Sequence, residues 1–386
     1  MMRRLDEEHE VENPFLAQLK RLGWEIYRQN KEDPEDTKEI IGFDKDLEPI
    51  YGSTKKFRKS FEEVILKDVL RQSIKRINPW IEEDQIDYVV RRLEEPKAKS
   101  LFEANREIHE LLLENIPVSE NRKTGEKSPS VYIIDFKNPE NNSFIAISQF
   151  KVKIPGTEKH IIPDIVLFVN GLPLVVVECK SPSRADHIRE AIEQIFRYSN
   201  RGGEREGNEE LFWYNLFSVA AARYTAKYGT ITSDYEHFVE WKDPYPYALS
   251  DIDPTATTIT SRHQQILVQG MLNKNTLIEI LHTFTIFKDN TKIVPRYHQY
   301  RAVKKIIERI KNGKTPEEKG GIVWHTQGSG KSLTMMYVVR AMFHDEELRK
   351  YKIVFITDRK DLERQLESVS KGVGFTVHVA KSVEHL

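Results

Sequence analysis

With Cys179 the single cysteine in 386 residues, no intramolecular disulfide framework is possible. No apolar run approaches a membrane-spanning length, and the start, Met1-Met-Arg-Arg-Leu-Asp-Glu-Glu-His-Glu10, lacks an apolar signal core. A cytoplasmic protein with no membrane association is expected. An excess of charge of one sign is missing too: 59 basic residues against 60 acidic leave a net charge of -1. The chain as a whole therefore carries no electrostatic signature of a nucleic-acid binder, and any such contact must come from a local patch. Mixed blocks such as residues 92–99 read as solvated faces. Neither an internal repeat nor a low-complexity tract stands out. What is present, 39% hydrophobic and 31% charged residues, is a globular composition with a heavily charged surface. The length exceeds what one core usually organises, so two or more domains are expected.

Helical spacing dominates the first third. Phe57, Phe61, Ile65 and Val69, with Leu66, Leu70, Ile74 and Ile77, predict a helix over 57–77, and Leu101, Ile108, Leu111 and Leu112 predict another over 100–115. From Val131 the texture changes to short β-rich runs broken by Asn, Pro and Gly: 131–136, 144–150, 164–169, 174–178 and, after a helix at 184–198 and a glycine-rich loop, 216–222. A mixed sheet is predicted to begin there. The Pro, Asp, Thr and Ser-rich stretch 243–263 predicts a linker, giving domains 1–264 and 265–386. In the second, Gln299, Val303, Ile306, Ile307 and Ile310 line one face of a helix ending at Gly313. Strands Ile322–Trp324 and Ile353–Ile356 would then open a parallel α/β domain.

Two acidic residues fold back toward each other in the first domain. Asp164 opens one strand, Glu178 and Lys180 close the next, and Asn170-Gly171 between them is a hairpin signal. Glu178 and Lys180 share a face because strand side chains alternate, which leaves Cys179 on the other side as buried filler. A two-residue loop pairs Asp164 with Val177 and separates the carboxylates; a three-residue loop Asn170-Gly171-Leu172 pairs it with Glu178 and unites them. Two carboxylates on one face can share Mg²⁺, and Lys180 would add a fixed positive charge, a set suited to phosphodiester hydrolysis. On spacing alone, a simple ion pair capping a buried strand is the competing reading.

In the second domain, Thr326-Gln327-Gly328-Ser329-Gly330-Lys331-Ser332 lies between a predicted strand and a predicted helix, the setting of a phosphate-binding loop. Backbone N–H groups of residues 327–330 would close around the phosphates of ATP, Lys331 would reach the outer ones, and Ser332 would offer its hydroxyl to the accompanying Mg²⁺. His325 stands where the general pattern has its first glycine.

Asp164 with Glu178-x-Lys180 resembles the nuclease signature of the restriction-endonuclease-like fold, and Gln194-Ile-Phe-Arg-Tyr198 resembles the Gln-x-x-x-Tyr addition of its RecB-type branch. Longer stretches resemble the R (restriction) subunits of type I restriction enzymes: 135–144, 163–182, Asn215-Leu-Phe-Ser-Val and Lys227-Tyr-Gly-Thr. Those subunits also share His325. The resemblance covers nearly the whole chain. It implies an α/β fold in which a restriction-endonuclease-like mixed sheet flanked by helices precedes the start of a RecA-like superfamily-two helicase domain. It further implies that Asp164, Glu178 and Lys180 are catalytic, that Asp164 and Glu178 hold Mg²⁺, and that Gln194 and Tyr198 touch DNA or brace the site. Glu103 and His109 could supply an outer contact or form an ordinary helical face. Arg296-Tyr-His-Gln299 resembles the adenine-reading segment of those helicases, and Asp358-Arg-Lys-Asp-Leu362 a strand-holding one. The activity implied is ATP-dependent DNA cleavage coupled to translocation. The partners implied are double-stranded DNA and the modification and specificity subunits. No Asp-Glu-x-His-like box is present, so the expectation is an N-terminal fragment that by itself binds ATP weakly at most. Competing readings are another nuclease–helicase, of DNA repair or type III-like restriction, and a non-catalytic docking module.

Overall fold

The computed structural model describes residues 7–98, 100–183, 185–203, 205–252, 262–357 and 377–380. The chain separates into two compact units, residues 1–279 and 280–386. The division falls beyond the 264/265 boundary read from composition, because the helix His263–Met271 packs on helix α1 (Asn13–Arg21) of the first unit.

The first unit is built on one eight-stranded mixed sheet. Its strands are β1 (Glu25–Gln29), β2 (Thr37–Phe43), β3 (Pro49–Lys55), β4 (Phe144–Ser148), β5 (Ile165–Val169), β6 (Leu172–Cys179), β7 (Phe217–Ala222) and β8 (Thr225–Gly229), in the order β8-β7-β6-β5-β4-β1-β2-β3. The β1/β4 and β6/β7 pairs are parallel and the others antiparallel. Every residue of β4, β5, β6 and β7 is buried, which explains why these segments read as continuous β-branched runs: both faces of a central strand are covered. Helix α5 (His187–Tyr198) covers β6 and β7.

Three differences from the sequence reading have physical causes. The sheet begins at residue 25, not near 131; β3 is its edge strand with mostly exposed side chains, and β2 beside it buries only Thr37 and Ile40, so both lack the apolar signal that marks the centre. Helix α2 spans Lys67–Ile77 only. Residues 57–66 are held in an irregular path by Arg58, whose guanidinium donates to the carbonyls of Glu63 and Lys151 and to Gln29, and by Glu63, whose carboxylate accepts from the backbone of Lys59. Of the run 131–136, only Val131 lies in a strand. Helices α3 (Glu83–Glu94) and α4 (Leu101–Glu114) complete the helical part before the sheet's centre.

In the second unit, a hairpin (Ile286–Lys288 with Thr291–Ile293) precedes α6 (Tyr297–Asn312) and α7 (Lys331–His344). Phe284 packs its ring against Tyr300 and Tyr337, one from each helix. Among the described residues the runs 322–324 and 353–356 form no strand, contrary to expectation. Ile322, Trp324 and Ile356 are almost fully exposed. A strand needs a neighbour to bond to, and the hairpin of this unit pairs only with itself. Residues 358–362 lie outside the described residues. Among the described residues no helix is long and apolar enough to cross a membrane.

Candidate active site

The β5/β6 hairpin reaches the required parity by an unexpected route. Its loop is the two-residue turn Asn170-Gly171, both at positive φ (50° and 84°), and Val169 pairs with Leu172. Left alone, that register would put Asp164 opposite Val177. A bulge between Pro173 and Val175 inserts Leu174 as an extra residue, after which Val175 pairs with Leu167 and Val177 with Ile165. Continued by one residue, the shifted register sets Asp164 opposite Glu178. The three-residue loop expected from sequence is thus replaced by a tight turn plus a bulge.

Asp164 and Glu178 are both buried, and each is held by a different kind of donor. Asp164 accepts from the backbone N–H of Cys179 at 2.7 Å and from the Gln149 side chain at 3.3 Å. Glu178 Oε1 accepts from Lys180 Nζ at 2.6 Å, and the same ammonium donates to the Cys179 carbonyl at 2.9 Å. Glu178 Oε2 is buried with no donor. Cys179 is fully buried and burial pushes its thiol well up, in keeping with filler. A residue missed in the sequence reading joins the group: Glu12, last in a π-helical turn (Glu8–Glu12) running into α1. Its Oε2 accepts from Gln149 at 2.8 Å, while its Oε1 is likewise buried with no donor.

The electrostatics follow from crowding acids out of water. Burial pushes Asp164 up to about 6, and burial with the charge of Asp164 pushes Glu12 up to about 8 and Glu178 well above the usual carboxylate range. Burial disfavours the Lys180 ammonium, yet Glu178 and Asp164 outweigh it and raise its pKa. One ammonium does not balance these acids, so protons or a cation must. The orphaned Glu178 oxygen, next to the Asp164 charge, fits a cation. Among the described residues no group of three or more Asp, Glu, His or Cys is placed to hold a metal ion, so a cation here would rest on two carboxylates and water, as Mg²⁺ can.

Tyr198 is buried, and its hydroxyl donates to the Ile162 carbonyl at 3.1 Å, bracing the strand entry that carries Asp164. Burial and the charges of Glu178 and Asp164 push its pKa up. Gln194, one turn earlier and half-buried, accepts from Arg197. Glu103 accepts from Ser100 at the start of α4, and His109 is buried in the same helix.

In the second unit Gly328 and Gly330 adopt positive φ (77° and 80°) and α7 begins at Lys331. Lys331 Nζ donates to the carbonyls of His325 (3.1 Å) and Thr326 (2.9 Å), and Ser329 to Thr326. Gln299 is buried, and its amide donates at 3.3 Å to the carbonyls of Ser329 and Gly330. It is thereby fastened to the loop itself.

Residues 4–237 match the family described as "Type I restriction enzyme R protein N terminus". The chain belongs to that family. Residues 298–386 match the SWI2/SNF2 ATPase family, and this span holds Gln299 and the glycine loop. Among curated relatives, the chain is 30% identical to the putative type I restriction enzyme MjaIXP endonuclease subunit of Methanocaldococcus jannaschii, over 99% of this chain and 36% of that protein. It is 28% identical to the type I restriction enzyme HindI endonuclease subunit of Haemophilus influenzae, over 98% and 34%. The chain thus spans about a third of the length of these relatives. For an R-protein N terminus, the sequence signal that could have found Glu12 is faint: an acid just ahead of the Asn-Pro that opens a helix.

Proposed function

We propose that the first unit is a metal-dependent DNA endonuclease centre and the second the nucleotide-gripping start of an ATP-driven DNA translocase, together forming the front of a type I R subunit. One observation carries the reading: inside an R-protein N terminus, Asp164 and Glu178 are buried beside Lys180, with Glu12 next to Asp164, and two carboxylate oxygens are unsatisfied. Mg²⁺, when bound, would supply a hydroxide-like nucleophile and offset charge on the phosphate oxygens. Asp164 and Glu178 would hold it. The Cys179 N–H and the Gln149 amide fix the Asp164 carboxylate, so little reorganisation is needed. Lys180, already charged, stands ready to face the phosphate being attacked. Tyr198 keeps Asp164 in place through Ile162, and Gln194 on the same helix face is free to meet DNA by leaving Arg197.

In the nucleotide loop, Gln327, Gly328, Ser329 and Gly330 would present backbone N–H groups to ATP, and Ser332 would meet its Mg²⁺. Lys331 would exchange the carbonyls of His325 and Thr326 for phosphate oxygens. Gln299 would act on adenine from a position anchored to the loop. Double-stranded DNA is the proposed substrate, and the modification and specificity subunits the proposed partners. The test is Mn²⁺ binding to the 386-residue chain, read by calorimetry: one site in the wild type, lost in Asp164→Asn and Glu178→Gln. Undiminished binding in both variants would remove the basis of the nuclease reading.

A further inference from the structure

The turn that delivers Glu12 carries three more acids, and each lies on a cation. Glu7 is 3.7 Å from Lys180, Glu8 pairs with Arg28, and Glu10 pairs with Arg223 at 2.7 Å. Those cations come from three separate parts of the sheet: Arg28 near the end of β1, Lys180 just past β6, and Arg223 in the two-residue turn Arg223-Tyr224 joining β7 to β8. Two of them border the carboxylate centre, since Arg28 acts electrostatically on Glu12 and Lys180 bonds Glu178, and Arg223 is tied to it through Glu10 on the turn that delivers Glu12. One four-residue stretch therefore covers a row of cations around a site proposed to cut a phosphodiester. Each pair keeps at least one partner partly exposed, and ion pairs screened by water add little to folding, so stability alone is a weak reason for three along one short stretch. A carboxylate is the side chain closest to a phosphate in what it offers an arginine fork or an ammonium. The turn is π-helical, a rare geometry concentrated at functional sites. Beside it, Tyr224 is exposed with the Arg223 guanidinium 5.2 Å from its ring, a platform on which a base or sugar can rest.

We propose that Arg28, Lys180 and Arg223 are the DNA-backbone contacts of this centre, and that Glu7, Glu8 and Glu10 occupy them as phosphate mimics until DNA displaces the turn. The proposal rests on the nuclease reading, and its test needs neither metal nor cleavage. Binding of a short fluorescent DNA duplex to the 386-residue chain is followed by anisotropy in EDTA over a range of KCl concentrations. The double variant Glu8→Gln/Glu10→Gln binds more tightly, and its salt dependence steepens by about 0.9 in log–log slope for each freed cation. The control Glu83→Gln/Glu110→Gln makes the same charge change, frees cations on α2 and α4, and leaves the slope as in the wild type. Adding Arg28→Gln and Arg223→Gln to the first double variant cancels its gain. In the wild-type chain, DNA speeds backbone hydrogen exchange over residues 8–12, a readout that needs no variant to fold. A double variant that binds no better than the control, or exchange over 8–12 that DNA slows or leaves alone, overturns the proposal. Mn²⁺ binding lost in Asp164→Asn would leave the nuclease reading standing in that event.

Discussion

In the first unit the groups driven far from ordinary ionisation include three carboxylic acids, with Asp164 at about 6, Glu12 at about 8 and Glu178 well above the usual carboxylate range. In the second they include two histidines, His282 and His344, stacked at 3.7 Å and pushed by burial down to about 3 and about 4. Both sets are buried, yet they differ in what is left over. His344 Nδ1 has Thr283 as a hydrogen-bond partner at 3.2 Å, whereas Glu12 and Glu178 each keep an oxygen with no donor. A shifted pKa by itself thus marks burial. A shifted pKa with unspent lone pairs marks a place built for something else.

The sharpest way to break this comparison is by substitution in the full-length, assembled enzyme. Asp164→Ala, Glu178→Ala or Lys180→Ala should lower DNA cleavage by a factor of about 10² or more, with ATP hydrolysis little changed. Lys331→Ala should do the reverse first, removing ATP hydrolysis and, with it, the cleavage that depends on translocation. An Asp164→Ala enzyme cutting at the wild-type rate would sink the assignment.

Next in size is the response to pH, which has opposite signs in the two units. The folded state holds protons on Asp164 and Glu12 that the unfolded state releases, so in EDTA their share of stability is present at about pH 4 and is lost as pH rises through 6 and then 8. The magnitude is of the order of a few kcal/mol. For His282 and His344 the depressed values mean stability held above pH 6.5 and lost as pH falls toward 4 and 3. Hydrogen exchange within β5 and β6 should therefore quicken from pH 5 to 8 after correction for the intrinsic rate, and Mn²⁺ or Glu12→Gln should flatten that trend. The same trend persisting unaltered in Glu12→Gln would assign it elsewhere.

Two glycines give smaller effects of contrasting kind. Gly171 has φ +84°, and a Cβ there would lie 2.5 Å from the Leu66 carbonyl oxygen, backbone that cannot step aside. Gly171→Ala should cost about 2–4 kcal/mol of stability, measured by chemical unfolding. At Gly330, φ +80°, the obstacle is the flexible end of Gln299 at 2.4 Å. Gly330→Ala should cost mainly the strain of the left-handed backbone, about 1–2 kcal/mol, less than Gly171→Ala, while weakening binding of a fluorescent ATP analogue.

How far the sequence could be read depended on where a segment sits. The central strands were legible because two covered faces demand apolar residues throughout; β2 and β3 were not, because the edge strand β3 and its thinly covered neighbour β2 have too few buried apolar positions to stand out from loop sequence. The helix predicted over 57–77 was half right for a similar reason. Phe57, Phe61 and Ile65 have helical spacing, but a buried arginine's hydrogen bonds to distant carbonyls are not a periodic signal. For Asp164, Glu178 and Lys180, parity showed which registers would unite them, but the bulge at Leu174 that selects one carries no sequence signal, and Glu12 lies 137 residues from Gln149 and meets it only after the sheet closes. In the second unit, Ile322–Trp324 carries the apolar pattern of a buried strand, and pattern alone does not provide the neighbour that would bury it.

Leu174 is the hairpin's spare residue, and it makes the strand tolerant of one change of length and intolerant of the other. Exchange it for another apolar residue and the arrangement of acids survives. Delete it, and the bulge goes with it: Val175 follows Pro173 directly, still opposite Leu167, and Asp164 still faces Glu178. Insert one residue between Val175 and Val177 instead, and Val177 takes the place of Glu178 opposite Asp164, although every catalytic residue is still in the chain. An alignment that scores residue identity would see one trivial gap in either case, yet only the longer strand should be as silencing as the loss of Asp164.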